Sequence, residues 1–344
     1  MANILYGING EGSGHWTRSK EVITHLKVLG HNVSIVCSGR ASVNLRNFFE
    51  IEDISGFSFR FVQGRVDKSK TFWENTKALP GFSRSFNRVS GLIRDRHIDC
   101  VITDFEPISC FAAKLQRLPI ISIDNQHFIT GTDVSYPSRF MAQAEITKAA
   151  IGLMTPGAGI YLAISFFEAR PKDDKTFVMP PILRRKVFKI TPSRGDYVLV
   201  YLTAGLGKIA ELLKLIQYNF IVYGADKEYQ DGNVTFKKFG EDEFLSDLAG
   251  SRGVLATAGF SLISEALYLG KPYLAWPVSN QFEQTFNAYH LERLGYGKYA
   301  ENLDRETIES FLFNLGVYSE NLAHYPRQDN SRLFQKLEEF ISTY

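Results

Sequence analysis

The chain has 344 residues, 39 of them basic and 37 acidic for a formal net charge of +2, with 44% hydrophobic and 22% charged side chains. That balance excludes disordered and fibrous classes, offers no bulk electrostatic attraction to nucleic acid or membrane, and at this length predicts about two domains. The three cysteines, Cys37, Cys100 and Cys110, lack metal-ligand spacing, so neither a disulfide framework nor a zinc site is expected and a reducing compartment fits.

The opening residues MANILYGING run straight into a strand and a glycine loop, with no basic, apolar and small-residue succession of a secretory leader. A cytoplasmic chain is expected. The most apolar later stretch, residues 146–167, is interrupted by Lys148, Pro156 and glycines and falls short of the roughly 20 apolar residues a spanning helix needs.

In chain order, the first half alternates strand 3–8, helix 17–29, strand 32–37 and helix 42–49. After an irregular stretch come helix 82–96, strand 100–103, helix 107–116, strand 120–123 and strand 160–166. This rhythm predicts βαβ units and a parallel sheet. Residues 170–192, with Pro180-Pro181 and Pro192 as breakers, read as a linker, placing a boundary near 190. A second alternating block follows: strand 197–202, glycine loop 203–207, helix 208–217, strand 219–223, helix 241–249, strand 253–256, helix 260–269 and strand 273–276. The last segment, 330–342, spaces Leu333, Phe334, Leu337, Phe340 and Ile341 as an amphipathic helix. The predicted organisation is an N-terminal α/β domain over 1–190, a C-terminal α/β domain over 191–325, and a final helix over 326–344 packing back on the first domain.

Gly10-Glu11-Gly12-Ser13-Gly14-His15 follows the first strand and opens a helix, where backbone amides and the helix dipole favour an anion. A dinucleotide fingerprint fails because His15 takes the third glycine position and the acidic residue about 20 positions on is missing. The phosphate-loop pattern fails as well, here and at Gly205-Leu206-Gly207-Lys208. Ligands of open α/β sheets lie at strand carboxyl ends, so His15 with Gly12 and Gly14 is a candidate base in its loop; simple packing or capping is the bland reading. Two further polar clusters end strands of the same half: Asp104-Phe105-Glu106-Pro107 and Asp124-Asn125-Gln126-His127. Asp104 could orient an imidazole, and Glu106, Asp124 and His127 are candidates on the acceptor side; helix capping is the alternative for each acidic group. The Asp104 to Glu106 pair is too weak a pattern to imply a metal.

In the second half Thr257-Ala258-Gly259-Phe260-Ser261 links a strand to a helix, and Gly259 lets a diphosphate approach the helix start; Glu265 lies on that helix. From Thr257 to Gly297 the order and spacing of Gly259, Glu265, Gly270, Pro272, Pro277, Glu283-Gln284 and Asn287-Ala288 resemble the donor-binding signature of GT-B glycosyltransferases. The nearest group is the one that includes the peptidoglycan lipid II N-acetylglucosaminyltransferase, the UDP-glucuronosyltransferases and the plant glucosyltransferases. Departures are Thr257 in place of the usual His, Ser261-Leu262 in place of Asn-Ser, and Glu283 in place of Asp. The full set of motifs is similar to a poorly characterised microbial branch associated with teichoic-acid synthesis.

The resemblance implies the GT-B fold: two Rossmann-like, doubly wound α/β domains facing a central cleft. It implies transfer of a sugar from a nucleotide diphosphate, a UDP-sugar by expectation, to an acceptor hydroxyl, with inversion and with neither cofactor nor metal. It assigns the backbone at Gly259, Phe260 and Ser261 to the diphosphate, Glu265 to the ribose, Glu283 and Gln284 to the donor sugar, and the loop at Gly205 to the phosphates. His15 takes the place of the catalytic base and Asp104 of its supporting acid. The acceptor is expected to be a cell-envelope glycan or lipid precursor, and no nucleic-acid partner is expected. Arg84, Arg88, Arg94 and Arg96 on one helix suggest a peripheral contact with the inner face of a membrane, although a solvated basic face is the commoner meaning of such a pattern. A nucleotide-sugar 2-epimerase and a non-catalytic nucleotide-sugar-binding protein are the alternatives.

Overall fold

A computed structural model describes residues 1–56, 61–62, 65–66, 73, 76–202 and 206–344. The chain divides into unit 1 (Met1–Arg60, Asp67–Arg184 and Asp329–Tyr344) and unit 2 (Phe61–Val66 and Arg185–Gln328).

Unit 1 carries β1 (Asn3–Ile8), α1 (Gly14–Val28), β2 (Asn32–Cys37), α2 (Gly39–Leu45) and β3 (Glu52–Asp53). A short hairpin, β4 (Phe61–Val62) and β5 (Arg65–Val66), belongs to unit 2. Then come α3 (Leu79–Asp95), β6 (Cys100–Asp104), α4 (Pro107–Leu115), β7 (Ile120–Asp124), α5 (Gln126–Gly131), α6 (Met141–Met154), β8 (Ile160–Ile164) and β9 (Thr176–Met179). The seven strands order as β3-β2-β1-β6-β7-β8-β9, all parallel. β6 and β7 are buried at every position, as apolar runs covered by helices on both faces should be. Leu5, Val36, Val101 and Ile120 of the sheet pack with Val89 and Ile93 of α3 and Ile108 and Ala112 of α4. Gly7 marks the closest approach, since a Cβ there would lie 2.1 Å from the Ser109 hydroxyl of α4.

Two expectations are corrected. The first helix begins at Gly14 rather than residue 17, because Thr17 Oγ1 donates to the carbonyls of Ser13 and Gly14 and draws them into the helical turn. The expected linker contains β9, an edge strand that the Pro180-Pro181 pair ends at once. On α3 the apolar side faces the core, while the exposed Arg88 and the C-cap residue Arg96 both pair with Glu52. No helix among the described residues is long and apolar enough to cross a membrane.

Unit 2 carries β10 (Tyr197–Tyr201), α7 (Leu206–Lys214), β11 (Asn219–Tyr223), β12 (Tyr229–Asp231), β13 (Val234–Lys237), α8 (Glu241–Gly250), β14 (Gly253–Ala256) and α9 (Phe260–Tyr268). It continues with β15 (Tyr273–Ala275), α10 (Phe282–Arg293), β16 (Gly297–Tyr299), α11 (Arg305–Phe313) and α12 (Leu315–Ala323). Its sheet orders as β12-β13-β11-β10-β14-β15-β16 and is parallel except at the β12 edge. Val198, Val200, Val222, Leu255 and Leu274 form its core with Ile209, Leu213, Ile308 and Phe311. The last helix, α13 (Ser331–Ile341), returns to unit 1. There it buries Leu333, Leu337 and Ile341, stacks Phe334 on His25 at 4.0 Å and sets Glu338 3.2 Å from His31.

Opposite the carboxyl edge of the second sheet, Lys271 is buried and donates to the carbonyls of Ser193 and Ser251 at 2.5 and 2.8 Å. Burial, then the charges of Arg194 and Arg327, lowers its pKa from 10.5 to about 8. A depressed pKa means that the unfolded chain binds the proton more tightly, so stability rises as pH climbs from about 8 to 10.5 and the cost of the buried charge is complete below that window. Urea unfolding of the native protein and of Lys271→Met at pH 7 and pH 10 should show the native chain gaining on the variant by up to about 3 kcal/mol. An unchanged gap would mean that Lys271 does not titrate there.

Candidate functional site

β1 and β6 are neighbours in register, with Ile8 opposite Asp104, so the loop after β1 and the residue ending β6 emerge side by side. α1 starts in that loop and carries His15 over the strand end, where its Nδ1 lies 2.7 Å from Asp104 Oδ1. Asp104 has no exposed surface and His15 keeps 13% of its side chain exposed. Among the described residues, Nε2 of His15 has no hydrogen-bond partner. Burial alone would raise the Asp104 pKa, but the Arg18 charge, followed by His15 and the hydrogen bonds of both, holds it below the ordinary carboxylate value.

The backbone beside this pair is unusual. Phe105 has φ of 56°, a left-handed conformation that bulky residues avoid. Its carbonyl accepts from Asn9 Nδ2 at 3.0 Å, and Asn9 Oδ1 accepts from the Glu11 amide at 2.9 Å, which stitches the two strand ends together. Gly12 also has positive φ, 77°, with open space where a Cβ would stand, and Gly14 is the first residue of α1.

Other acidic groups of unit 1 have local duties. Glu106 is the N-cap of α4, accepting from the amides of Ile108 and Ser109 at 2.9 and 2.7 Å, and its burial pushes the carboxyl pKa up. Asp124, at the end of β7, accepts from Ser122 Oγ at 2.6 Å and from the His127 amide at 2.7 Å. Its carboxylate is 2.7 Å from His127 Nδ1, and His127 Nε2 lies 2.9 Å from Thr155 Oγ1. Burial opposes the charge on Asp124; His127 and these hydrogen bonds overcome it and lower the pKa well below the usual range. Both ring nitrogens of His127 are therefore engaged inside the protein, unlike those of His15.

The loop after β14 forms the second locus. Thr257 O accepts from Tyr273 OH at 2.7 Å and Ala258 O accepts from Asn287 Nδ2 at 3.1 Å, so both carbonyls are tied back. α9 starts immediately after Gly259 and has no side-chain cap. With φ of −69° and no atom within 4 Å of an added Cβ, Gly259 is required neither by the backbone nor by packing. It keeps a space open above the helix start. Phe260 and Glu265 are buried, so Phe260 can offer a ligand only its backbone; Ser261 is partly exposed. Glu283 and Gln284 are half-buried in the first turn of α10, where Gln284 Oε1 accepts from the Val278 amide at 3.0 Å. Gly205 lies outside the described residues. β13, β14 and β15 are parallel, so Phe239, Gly259 and Gln284 follow strand ends on one edge of the sheet. Phe239 is 56% exposed there, its ring 5.2 Å from that of Phe244.

Sequence reasoning missed Arg18 and Asn9, and gave Asn125 no role within its polar cluster. Arg18 lies buried between Asp104, His15 and Asn125, and the available signal was its place one turn after His15 on the same helix face. Phe239 carried only the hint of an aromatic residue after a strand. Among the described residues no group of three or more His, Cys, Asp or Glu side chains is placed to hold a metal ion.

The profile of the glycosyl transferase family 1 matches residues 2–316. A protein of Methanosarcina mazei described as an uncharacterized glycosyltransferase is 26% identical over 328 residues, covering 86% of this chain and 85% of its own. The calicheamicin glycosyltransferase CalG4 superposes with a TM-score of 0.72 at 14% identity, covering 99% and 98% of the two chains. MurG of Acinetobacter baumannii gives 0.66 at 16% identity, covering 99% and 100%. These likenesses place the two sheets in the GT-B fold.

Replacing Asp104 by Asn leaves Arg18 buried without its counter-charge. Denaturant unfolding at pH 7 should show a loss of about 3 kcal/mol. Because the carboxyl pKa is lowered in the fold, that loss should shrink as pH falls through its folded value. A variant as stable as the native protein would deny the ion pair its structural weight.

Proposed function

We infer the reaction from the premise that this chain belongs to glycosyl transferase family 1 and is a glycosyltransferase. The proposed reaction moves a sugar from a nucleotide diphosphate, a UDP-sugar, to an acceptor hydroxyl in a single inverting displacement that needs no metal. The observation that carries it is His15, whose Nδ1 is anchored on buried Asp104 while Nε2 is left to take a proton. The acceptor O–H bond breaks as its proton passes to Nε2, the oxygen bonds to the anomeric carbon, and the bond from that carbon to the phosphate oxygen breaks. The electron pair leaves with the nucleoside diphosphate.

Charge then grows on the diphosphate, and the start of α9 is suited to receive it. The space above Gly259 admits the phosphates, and the first-turn amides and the helix dipole favour the anion. In this reading Glu265 serves the ribose, Glu283 and Gln284 the sugar hydroxyls, and the loop at Gly205 the phosphates. Phe239 offers an exposed aromatic face on the same edge, on which a base would stack. A cell-envelope glycan or lipid precursor is the proposed acceptor. The epimerase and binding-protein readings are not favoured by a match to transferases.

His15→Ala should lower turnover by about 100-fold or more while nucleotide binding, read as a thermal shift with UDP, is retained. Turnover equal to the native rate would remove His15 as the base. Gly259→Val should do the opposite, preserving the fold, since the site is open, but losing the UDP-induced shift. An undiminished shift would move the diphosphate elsewhere.

A further inference from the structure

Arg18 is the least expected member of the unit 1 site, a guanidinium only 3% exposed on the helix that carries His15. Its Nε donates to Asp104 Oδ2 at 2.7 Å and its Nη2 to Oδ1 at 2.5 Å, a fork that grips both carboxylate oxygens. Its Nη1 donates to Asn125 Oδ1 at 2.7 Å, joining the loop after β7 to the same point. Ser19 Oγ adds a donor to Oδ2 at 3.0 Å, and His15 Nδ1 approaches Oδ1 at 2.7 Å. Four donors thus surround one carboxylate, about the number its lone pairs accept.

This surrounding decides the histidine tautomer. Were Nδ1 unprotonated, its lone pair would face an oxygen lone pair at 2.7 Å, so Nδ1 carries the hydrogen and donates it to Oδ1. The 2.8 Å between Arg18 Nη2 and His15 Nδ1 then follows from two donors converging on one oxygen. A lysine would reach one oxygen as a point charge and leave the carboxylate free to rotate.

We propose that Arg18 is a positioning residue of the transfer site: it holds Asp104 as a carboxylate in one orientation and thereby fixes His15 as the Nδ1–H tautomer, with Nε2 turned to the acceptor. The proposal rests on the reading of His15 as the base. Arg18 does its work without touching substrate.

The test uses the full-length protein labelled with nitrogen-15, with His15 resonances assigned by comparison with His15→Ala. The native protein should show a single Nδ1–H tautomer; Arg18→Ala should show a mixture with the Nε2–H form. UDP release by hydrolysis of UDP-glucose, with water taking the glucosyl group in place of the acceptor hydroxyl, should fall about 100-fold in Arg18→Ala with the donor KM little changed, as when the orienting partner of a base is lost. Sub-denaturing guanidinium chloride should restore the tautomer and part of the rate, and urea, of the same shape without the charge, should not. If Arg18→Ala does not fold, Arg18→Lys carries the same test, with tautomer mixing and a lowered rate expected at a retained donor KM. A single Nδ1–H tautomer in the folded variant, or rescue by urea equal to that by guanidinium, overturns the proposal. Unchanged turnover in His15→Ala would instead remove the base reading, which separates the two failures.

Discussion

A carboxylate taken wholly out of water is stable only where donors replace its hydration, and Asp104 is such a group at the junction of two central strands. Satisfying it dictates much of the carboxyl edge of unit 1. The guanidinium of Arg18 must be buried with it, so α1 has to start early enough to bring residues 15, 18 and 19 onto one point. Directly after Asp104 the chain turns through a left-handed Phe105, and Asn9 holds that turn from the neighbouring strand. Strand register, helix start and the Phe105 turn thus meet at one buried charge.

Unit 2 approaches charge from the other direction. Here the carbonyls of Thr257 and Ala258 are tied back by Tyr273 and Asn287, and the start of α9 has no side-chain cap and open space beside Gly259. A helix start in that condition is an incomplete hydrogen-bonding system, satisfied by water or by an anion. The glycine at its N-cap is what keeps it incomplete, since Ser, Thr, Asp or Asn in that position would cap the amides internally. The two units thus treat charge differently: one buries a carboxylate among donors, and the other leaves a helix start open.

The alternating βαβ pattern was legible because buried parallel strands write continuous apolar runs, as in Cys100–Asp104 and Ile120–Asp124, and the family signature from Thr257 was legible because its residues are neighbours in sequence. Short edge strands were not: β9 and β12 have too few residues to show a period. Helix α6 was missed because its apolar residues are not confined to one face and only Ala144 and Ile151 are buried. Arg18 was invisible for a different reason. Its partners lie 86 and 107 residues away, and a lone arginine on a helix reads as solvated until the fold brings a carboxylate to it.

The two histidine and aspartate pairs of unit 1 show how far residue type alone falls short. Asp104 with His15 and Asp124 with His127 each end a parallel strand, and each places a ring nitrogen 2.7 Å from a carboxylate oxygen. At His127 the far nitrogen meets Thr155 and the ring lies 4.5 Å from Tyr161, so the imidazole acts as a strut between β7, α6 and β8. At His15 the far nitrogen has no such partner among the described residues, and the carboxylate behind it is shared with a buried cation. A strut and the proposed base therefore use the same two side chains at the same distance. What separates them is the third group: a hydroxyl that closes the imidazole off in one case, and in the other a guanidinium that steadies the carboxylate and leaves the imidazole open.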